Sequence, residues 1–590
     1  MITPAQVRRA EYIVDTSDIV AKMEVGIQRD SRGRKKPEHT LRLLIIGLYL
    51  AISERGSATI TDVHKLLTVD LPVNEQIRLK IRKRDGGRVV VATRKQLYYQ
   101  AARLHALEYG VGSAPDLDAE ERQRRHHVII SMSNGMMDVF DLGWKSMVFA
   151  MDATGIWSWA KGKRKTAPVV VIDAEKDDLE PEIIEALRNA RETGEMSDDV
   201  MKSNDASRAQ ADKDEEDAAK PGVDGTTSEV PPAPKVGVKA SHDPDAGWGV
   251  KTSKSGKHEV FFGYHEHTLV QVPETDTEKD TEPRLIRRLE LTPAAEDVVD
   301  VSLRLLDSMP TRVRDLNVDL HYSYKRIDRW LRQLTRRGIR QHHDLRSDEQ
   351  GFTEYEGLRW AAGWAHCPKT PDGLGVIPRP SAFAPLADKE AFSTEIAKRQ
   401  AYAMRIVNQP DENGAVRIEC PAWTTAGCAL VAGSVETAVA LGLPIIENPP
   451  NEERDGEPLP RCCAQKTVKV TPPPSVQKLA QPLYWGSKRH SKMFNKRTYV
   501  EGSYGNRKNA STENLRRGLF RSTGLVWVNL IVTLSAASYN TRMLRNWHER
   551  TGLGDPNHPL LTVDEEMFGF VFLSAAERDA IDDDLLGKVA

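Results

Sequence analysis

The stretch from Asp173 to Asp245 constrains this chain more than any other feature. It is rich in Asp, Glu, Ala and Pro, poor in aromatic residues, and closes on Pro231, Pro232 and Pro234. Such a composition buries too little apolar surface to offset the entropy of ordering the chain. It is expected to be a disordered or weakly helical insert, so a folded core must be assembled from the segments on either side. The stretch also masks the charge of the remainder. Between Asp173 and Ala219 stand 17 acidic and 6 basic side chains, which divides the formal net charge of −2 into −11 there and +9 elsewhere. A basic remainder suits a polyanionic partner, because local charge is what a polyanion meets.

The 590 residues are too many for one core, and two to four domains are expected. Apolar residues make up 39% and charged residues 28%, a soluble globular composition. Five cysteines exclude a disulfide scaffold and suit a reducing cytoplasm. Arg8, Arg9 and Glu11 leave no secretory apolar region at the N-terminus. The longest apolar run, Leu525 to Ser538, is broken by Asn529 and Thr533 and is shorter than a bilayer span; it reads as a buried helix. A cytoplasmic protein without a membrane partner is expected.

Residues 1–145 read as helical. Leu41 to Ile52 is an apolar helix, and after Gly56 and Ser57 a second helix, Thr59 to Leu67, places Ile60, Val63 and Leu67 on one face. The pair suits a DNA-binding helix-turn-helix or an ordinary bundle equally. Basic clusters flank it at Arg29 to Lys36, Arg78 to Arg88 and Arg122 to His127. Strands are expected at Ser146 to Thr154, Pro168 to Ile172, His258 to Val272, Leu285 to Leu291 and Val313 to Leu320. A helix is expected over Pro293 to Met309, and a strongly basic one over Tyr324 to Arg337. That order is an α/β pattern. Residues 345–485 carry many Pro and Gly, four of the eleven Trp and all five Cys, and read as a β-rich or irregular insertion. Late helices are expected over Phe494 to Gly518 and Gly524 to Glu549, followed by an acidic tail.

Three acids fall where these elements can converge: Asp152 at the end of the first strand, Asp319 at the exit of the fourth, and Glu501 on the late helix. Magnesium takes hard oxygen ligands and keeps several waters, so a few carboxylates suffice to hold it. Two such ions serve phosphoryl transfer by activating the attacking oxygen and stabilising the leaving one. Arg497 and Lys508, four residues before and seven after Glu501, share its helical face and offer cations to a phosphate. Competing residues are set aside on physical grounds. Asp315 lies at the start of its strand, whereas sites in open α/β sheets gather at carboxyl ends. Glu513 reads as an exposed helical residue. His265 and His267 share a strand face but read as packing residues, and Trp157, Trp159 and Trp485 are candidates to stack an unpaired base. The cysteines lack the two-to-four-residue spacing usual for zinc and read as scattered buried thiols. No phosphate-binding glycine loop follows a strand, so a nucleotide cofactor is not expected.

The run Phe494-x2-Arg497-x3-Glu501-x6-Lys508 resembles the Tyr-x2-Arg-x3-Glu-x6-Lys signature of a large subgroup of DDE-class insertion-sequence transposases, with Phe494 where Tyr is usual. The continuation Asn509 to Gly518 resembles that of actinobacterial members. Met151 to Gly155 resembles the family's first catalytic strand, and Asp243 to Lys251 with Phe262 to His267 its second. Val318 to Ser323 resembles the segment around the second catalytic Asp, although Leu320 and His321 stand where Arg-Gly is commoner.

The resemblance implies an RNase H-like mixed-sheet α/β catalytic core with an N-terminal all-helical domain. The implied organisation is a helical DNA-binding or dimerisation region at 1–145, core segments at 146–172 and 246–345, and an acidic insert at 173–245. A β-rich insertion at 346–485, core helices at 486–550 and a tail at 551–590 complete it. Asp152, Asp319 and Glu501 are implied as catalytic ligands of two Mg2+ ions, with Mn2+ as a substitute. Tyr322, Arg497 and Lys508 are implied to contact DNA, and the basic side chains Lys325, Arg326 and Arg329 are expected beside them. Implied partners are double-stranded transposon ends, target DNA and a second copy of the chain in a synaptic homodimer, in a bacterial, nucleoid-associated setting. Two alternatives remain: a catalytically diverged, transposase-derived DNA-binding protein, and a metal-dependent nuclease without strand transfer.

Overall fold

In the computed structural model the described residues are 2–562, apart from 28–37, 84–88, 90, 108–116, 161–242, 244, 253–257, 275–280, 295, 321, 323–324, 347–348, 382, 409, 412, 517–518 and 520–522. The expected strand at Pro168 to Ile172, nearly all of the acidic insert, the Arg29–Lys36 cluster and the tail beyond residue 562 lie outside them. The fold is mixed α/β.

Its centre is a six-stranded sheet. β1 (Val148–Trp157) pairs antiparallel with the long β3 (His258–Gln271). Along its other edge β3 pairs antiparallel first with β2 (Gly247–Thr252) and then with β4 (Ile286–Pro293). β5 (Asp315–Asn317) lies parallel to β1, and β6 (Arg340–His342) parallel to β5. The main path is therefore β4-β3-β1-β5-β6, with β2 extending the β4 edge.

Alternation along β1 assigns its two faces, because successive side chains point opposite ways. Phe149 and Met151 join a core with Val299, Leu305, Leu316 and Trp330, under the helix Val298–Asp307. Val148 and Ala150 join the other, larger core. Asp152 and Thr154 continue that second face. It is covered by the helices Thr498–Lys508, Leu525–Thr551 and Ala119–Asp138. The Leu525–Thr551 helix is buried through nearly two-thirds of its length, as its apolar run requires. Its first N–H groups are held by Asp243, whose Oδ1 accepts from Gly524 N at 3.0 Å, and by Asp245, whose Oδ2 accepts from Leu525 N at 2.9 Å.

The N-terminal helices share this second core. Leu41 to Ile52, within the helix Glu38–Arg55, pack with Leu525 to Ala537 and with strand residues Ile286 and Leu289. The N-terminal helices are thus built onto the sheet. The helix Ile60–Lys65 follows across a turn in which Gly56 takes φ +54°, and the two axes bend by 100°. Both helix-turn-helix units and perpendicular bundle pairs have that angle. Among the described residues no single helix is long and apolar enough to cross a membrane; this bent pair reaches that hydropathy only jointly.

The insertion is mixed rather than β-rich. It holds two three-stranded antiparallel sheets of short strands, the helix Leu386–Ala401, and three small cores of its own. The expected long basic helix is also shorter. Only Leu331–Arg336 is helical, and Arg340 already belongs to β6.

Candidate active site

Parallel pairing of β1 and β5 sets the first two acids side by side. Ala150 pairs with Asn317; Asp152, expected at the end of its strand, lies two residues further within β1, which continues to Trp157, and Asp319 lies two residues beyond the end of β5. Each acid is oriented by the chain just beyond it: Ala153 N donates to Asp152 Oδ1 and Leu320 N to Asp319 Oδ1, both at 2.8 Å. Glu501 is delivered by the Thr498–Lys508 helix, which buries Val500, Ser503, Tyr504 and Arg507 against β1 and β3 and leaves Glu501 exposed.

Arg497 joins the three. Its Nη2 lies 2.9 Å from Glu501 Oε1, and its Nη1 lies 3.6 Å from Asp319 Oδ1 and 3.8 Å from Asp152 Oδ2. Carboxylates from three segments, far apart along the chain, thus face one guanidinium. Burial is the main reason that the Asp152 carboxyl is pushed up to about 7; Asp319 and Glu501 add repulsion, while Ala153 N–H and Arg497 oppose it. A carboxylate in that condition gains from a nearby cation.

The donors are hard oxygens, two of them on half-open side chains, which is chemistry that magnesium accepts. Among the described residues no three His, Cys, Asp or Glu side chains already stand at the separations of one ion's ligands.

Side-chain hydrogen bonds fix the helix to β1. Tyr504 Oη donates to the Asp152 carbonyl at 2.7 Å, and Lys508 Nζ donates to Thr154 Oγ1 at 2.7 Å. Below them Arg507 pairs with Glu266 of β3, both fully buried. Sequence reasoning passed over Tyr504, Arg507 and Glu266. The three-residue spacing of Tyr504 and Arg507, with Val500 one turn before Tyr504, was the available signal of a buried face.

The other expected residues are distributed differently. Tyr322 is 3% exposed, and its ring lies 4.6 Å from that of Trp330. Its hydroxyl hydrogen-bonds Ser302 at 2.8 Å, so it belongs to the core rather than to a DNA-facing surface. Arg329 is paired with Asp297 and Asp300, each at 2.9 Å. Arg332 pairs with Asp328, Arg337 with Asp307 and Arg340 with Asp315, so much of the basic run is neutralised. Lys325 is half-buried near Asp297, and Arg326 is exposed.

Phe494 stacks on His490 and lies 5.6 Å beneath the Arg497 guanidinium. Trp485 is buried and donates to Asp344, Trp157 stacks on Phe261, and Trp159 is 41% exposed. His267 is fully buried and bonded to Thr292, and burial lowers it to about 3, as befits a packing residue.

The rivals are accounted for. Asp315 is buried in a structural cluster with Arg340, Arg314 and His342. Glu513, expected to be exposed, is buried and paired with Arg542 at 2.9 Å. No protein-family model, curated protein or solved structure matches this chain.

Proposed function

We propose that this protein is a DDE-class transposase that cleaves and joins DNA strands at Asp152, Asp319 and Glu501, on an RNase H-like core. The observation that carries the reading is the contact of Arg497 with all three acids. The sheet path β4-β3-β1-β5-β6 supports it: an antiparallel meander is followed by two parallel strands, with Asp152 on β1 and Asp319 just past the end of the adjoining β5.

The three carboxylates would hold magnesium, which when bound polarises a phosphodiester and lowers the pKa of water. The chain's own contributions follow from geometry. Asp152, whose carboxyl burial pushes up to about 7, would be held ionised by the ion it binds. Arg497 places a planar cation within reach of a phosphate approaching the acids. Tyr504 and Lys508 keep the helix registered on β1, so that the distance from Glu501 to Asp152 is set by packing and not by a loop. Cleavage adds water to phosphorus and expels the 3′-oxygen; joining lets that freed 3′-hydroxyl attack a second phosphodiester, whose own 3′-oxygen leaves and takes up a proton. On the N-terminal side, the exposed Tyr98 and Tyr99 beside Arg94 and Lys95 give a second basic, aromatic surface next to the Ile60–Lys65 helix.

The test is incubation of the full chain and Mg2+ with a plasmid carrying the DNA that naturally flanks its coding sequence. Nicking at both flanks and joined products are expected. Nicks without joining would leave a metal-dependent nuclease. Binding without nicking would leave a diverged DNA-binding protein, the reading favoured by the buried Tyr322 and the paired Arg329.

A further inference from the structure

The insertion gathers all five cysteines of the chain at one place. Cys367 follows the strand Trp364–His366, and Cys420 follows the strand Val416–Glu419. Cys428 lies in the loop before the helix Ser434–Leu441, and Cys462 and Cys463 sit in the short helix Arg461–Ala464. All five line one cavity of about 150 Å3. None is in a disulfide, and the Cys462 and Cys463 sulfurs are 3.9 Å apart.

The surroundings of the sulfurs are more specific than their convergence. The backbone N–H of Lys369 donates to Cys367, that of Ala422 to Cys420 and that of Leu430 to Cys428. In each case the donor lies two residues beyond the cysteine. Three unrelated loops therefore fold alike, each aiming an amide at a sulfur. A thiol is a weak acceptor that gains little from this, whereas a thiolate gains much. Positive charge is also at hand: Lys466 lines the cavity and Lys369 acts on Cys463.

Burial pushes the Cys367 thiol up to about 12 and the Cys420 thiol up to about 11. A coordinated dication reverses that preference by holding thiolates outright. The location gives such an ion a structural purpose. Cys367, Cys420 and Cys428 belong to one small core of the insertion and Cys462 to another. Cores this small are commonly fastened by a metal.

We propose that the insertion binds a structural zinc ion through the thiolates of Cys367, Cys420, Cys428 and Cys463. Cys463 is chosen over its neighbour because it is only partly buried, while Cys462 is a buried member of the core that holds Val468 and Val470. No three of the described side chains yet stand at ligand distance, so binding turns the sulfurs inward across the cavity and releases their protons to solvent. Sequence spacing hid the site because the four residues come from separate segments of the insertion, not from a paired knuckle.

The test is metal analysis of the full-length chain purified under reducing conditions without chelator, with Zn2+ and then Co2+ as the probes. One zinc per chain is expected, and Co2+ in its place should show thiolate charge-transfer and tetrahedral absorption bands. Cys428→Ser and Cys463→Ser should lose the metal, and Cys462→Ser should keep it. A chain that binds neither ion, or holds iron instead, would overturn the proposal. So would metal retained by Cys428→Ser, or a Cys462–Cys463 disulfide in the reduced preparation. Loss in Cys462→Ser with retention in Cys463→Ser would overturn the ligand choice. Should the serine variants fail to fold, the cobalt spectrum of the unaltered chain decides. None of these readouts depends on DNA cleavage.

Discussion

The hydroxyl of Tyr504 donates to the main-chain carbonyl of Asp152 at 2.7 Å, linking the helix that carries Glu501 directly to the strand that carries the first acid. Tyr504 is buried, and burial raises its hydroxyl far above the ordinary phenol range, so it remains a neutral donor. Tyr504→Phe is expected to cost about 1 kcal/mol in chemical denaturation, the usual worth of one such bond. Strand cleavage should fall while DNA affinity is retained, because the residue positions Glu501 and touches no substrate. Unchanged cleavage would remove the positioning role.

Arg507 and Glu266 form a fully buried pair beneath the site. Arg507 Nε and Nη1 and Glu266 Oε2 have no other hydrogen-bond partner. Arg507→Ala leaves a lone buried carboxylate and is expected to destabilise the protein by about 3–5 kcal/mol. The double change Arg507→Met with Glu266→Leu should cost less than either single change. Urea unfolding of the three variants measures this; additive losses would contradict it.

Asp315 supplies a pH dependence. Burial alone would raise its carboxyl, but hydrogen bonds from His342, Arg340 and Arg314 outweigh that and hold it well below the usual range. In the unfolded chain the group titrates near the ordinary value of about 3.9. The unfolded state therefore binds the proton first as pH falls. The stabilisation is complete above about pH 5 and is lost progressively below it. Asp315→Asn is expected to flatten the acid limb of the stability profile and to lower stability at pH 7. An unchanged acid limb would show that the cluster contributes nothing.

Tyr322 makes a contrasting case. Its hydroxyl is bonded to Ser302 inside the core. Tyr322→Phe is expected to cost about 1 kcal/mol of stability and to leave DNA affinity and its salt dependence unaltered. A drop in affinity at equal stability would restore it as a DNA contact.

These residues also show which features were legible in the sequence. Strand positions, the spacing around Glu501 and the family resemblance together singled out three acids, and Arg497 does stand among them; its reach to Glu501 is a helical turn, a local rule. Tyr322 was misjudged because the chain folds inward just after Asp319, setting the ring against Trp330, and no local pattern marks that turn. The basic run looked free because its counter-charges, Asp297, Asp300 and Asp307, arrive from a neighbouring helix and its cap. The apolar faces of Leu41 to Ile52 announced a buried helix, but not that its partner would be the Leu525–Thr551 helix. The cysteines looked scattered for the same reason: tertiary structure, not spacing, collects them.

The central claim is that Asp152, Asp319 and Glu501 act as one metal-dependent centre. The most direct measurement is Mg2+-dependent nicking of the flanking DNA by the unaltered chain and by Asp152→Asn, Asp319→Asn and Glu501→Gln, with DNA binding followed in parallel. Each substitution should abolish nicking and leave binding within a few-fold of the original. Substantial nicking by any of the three would contradict the account.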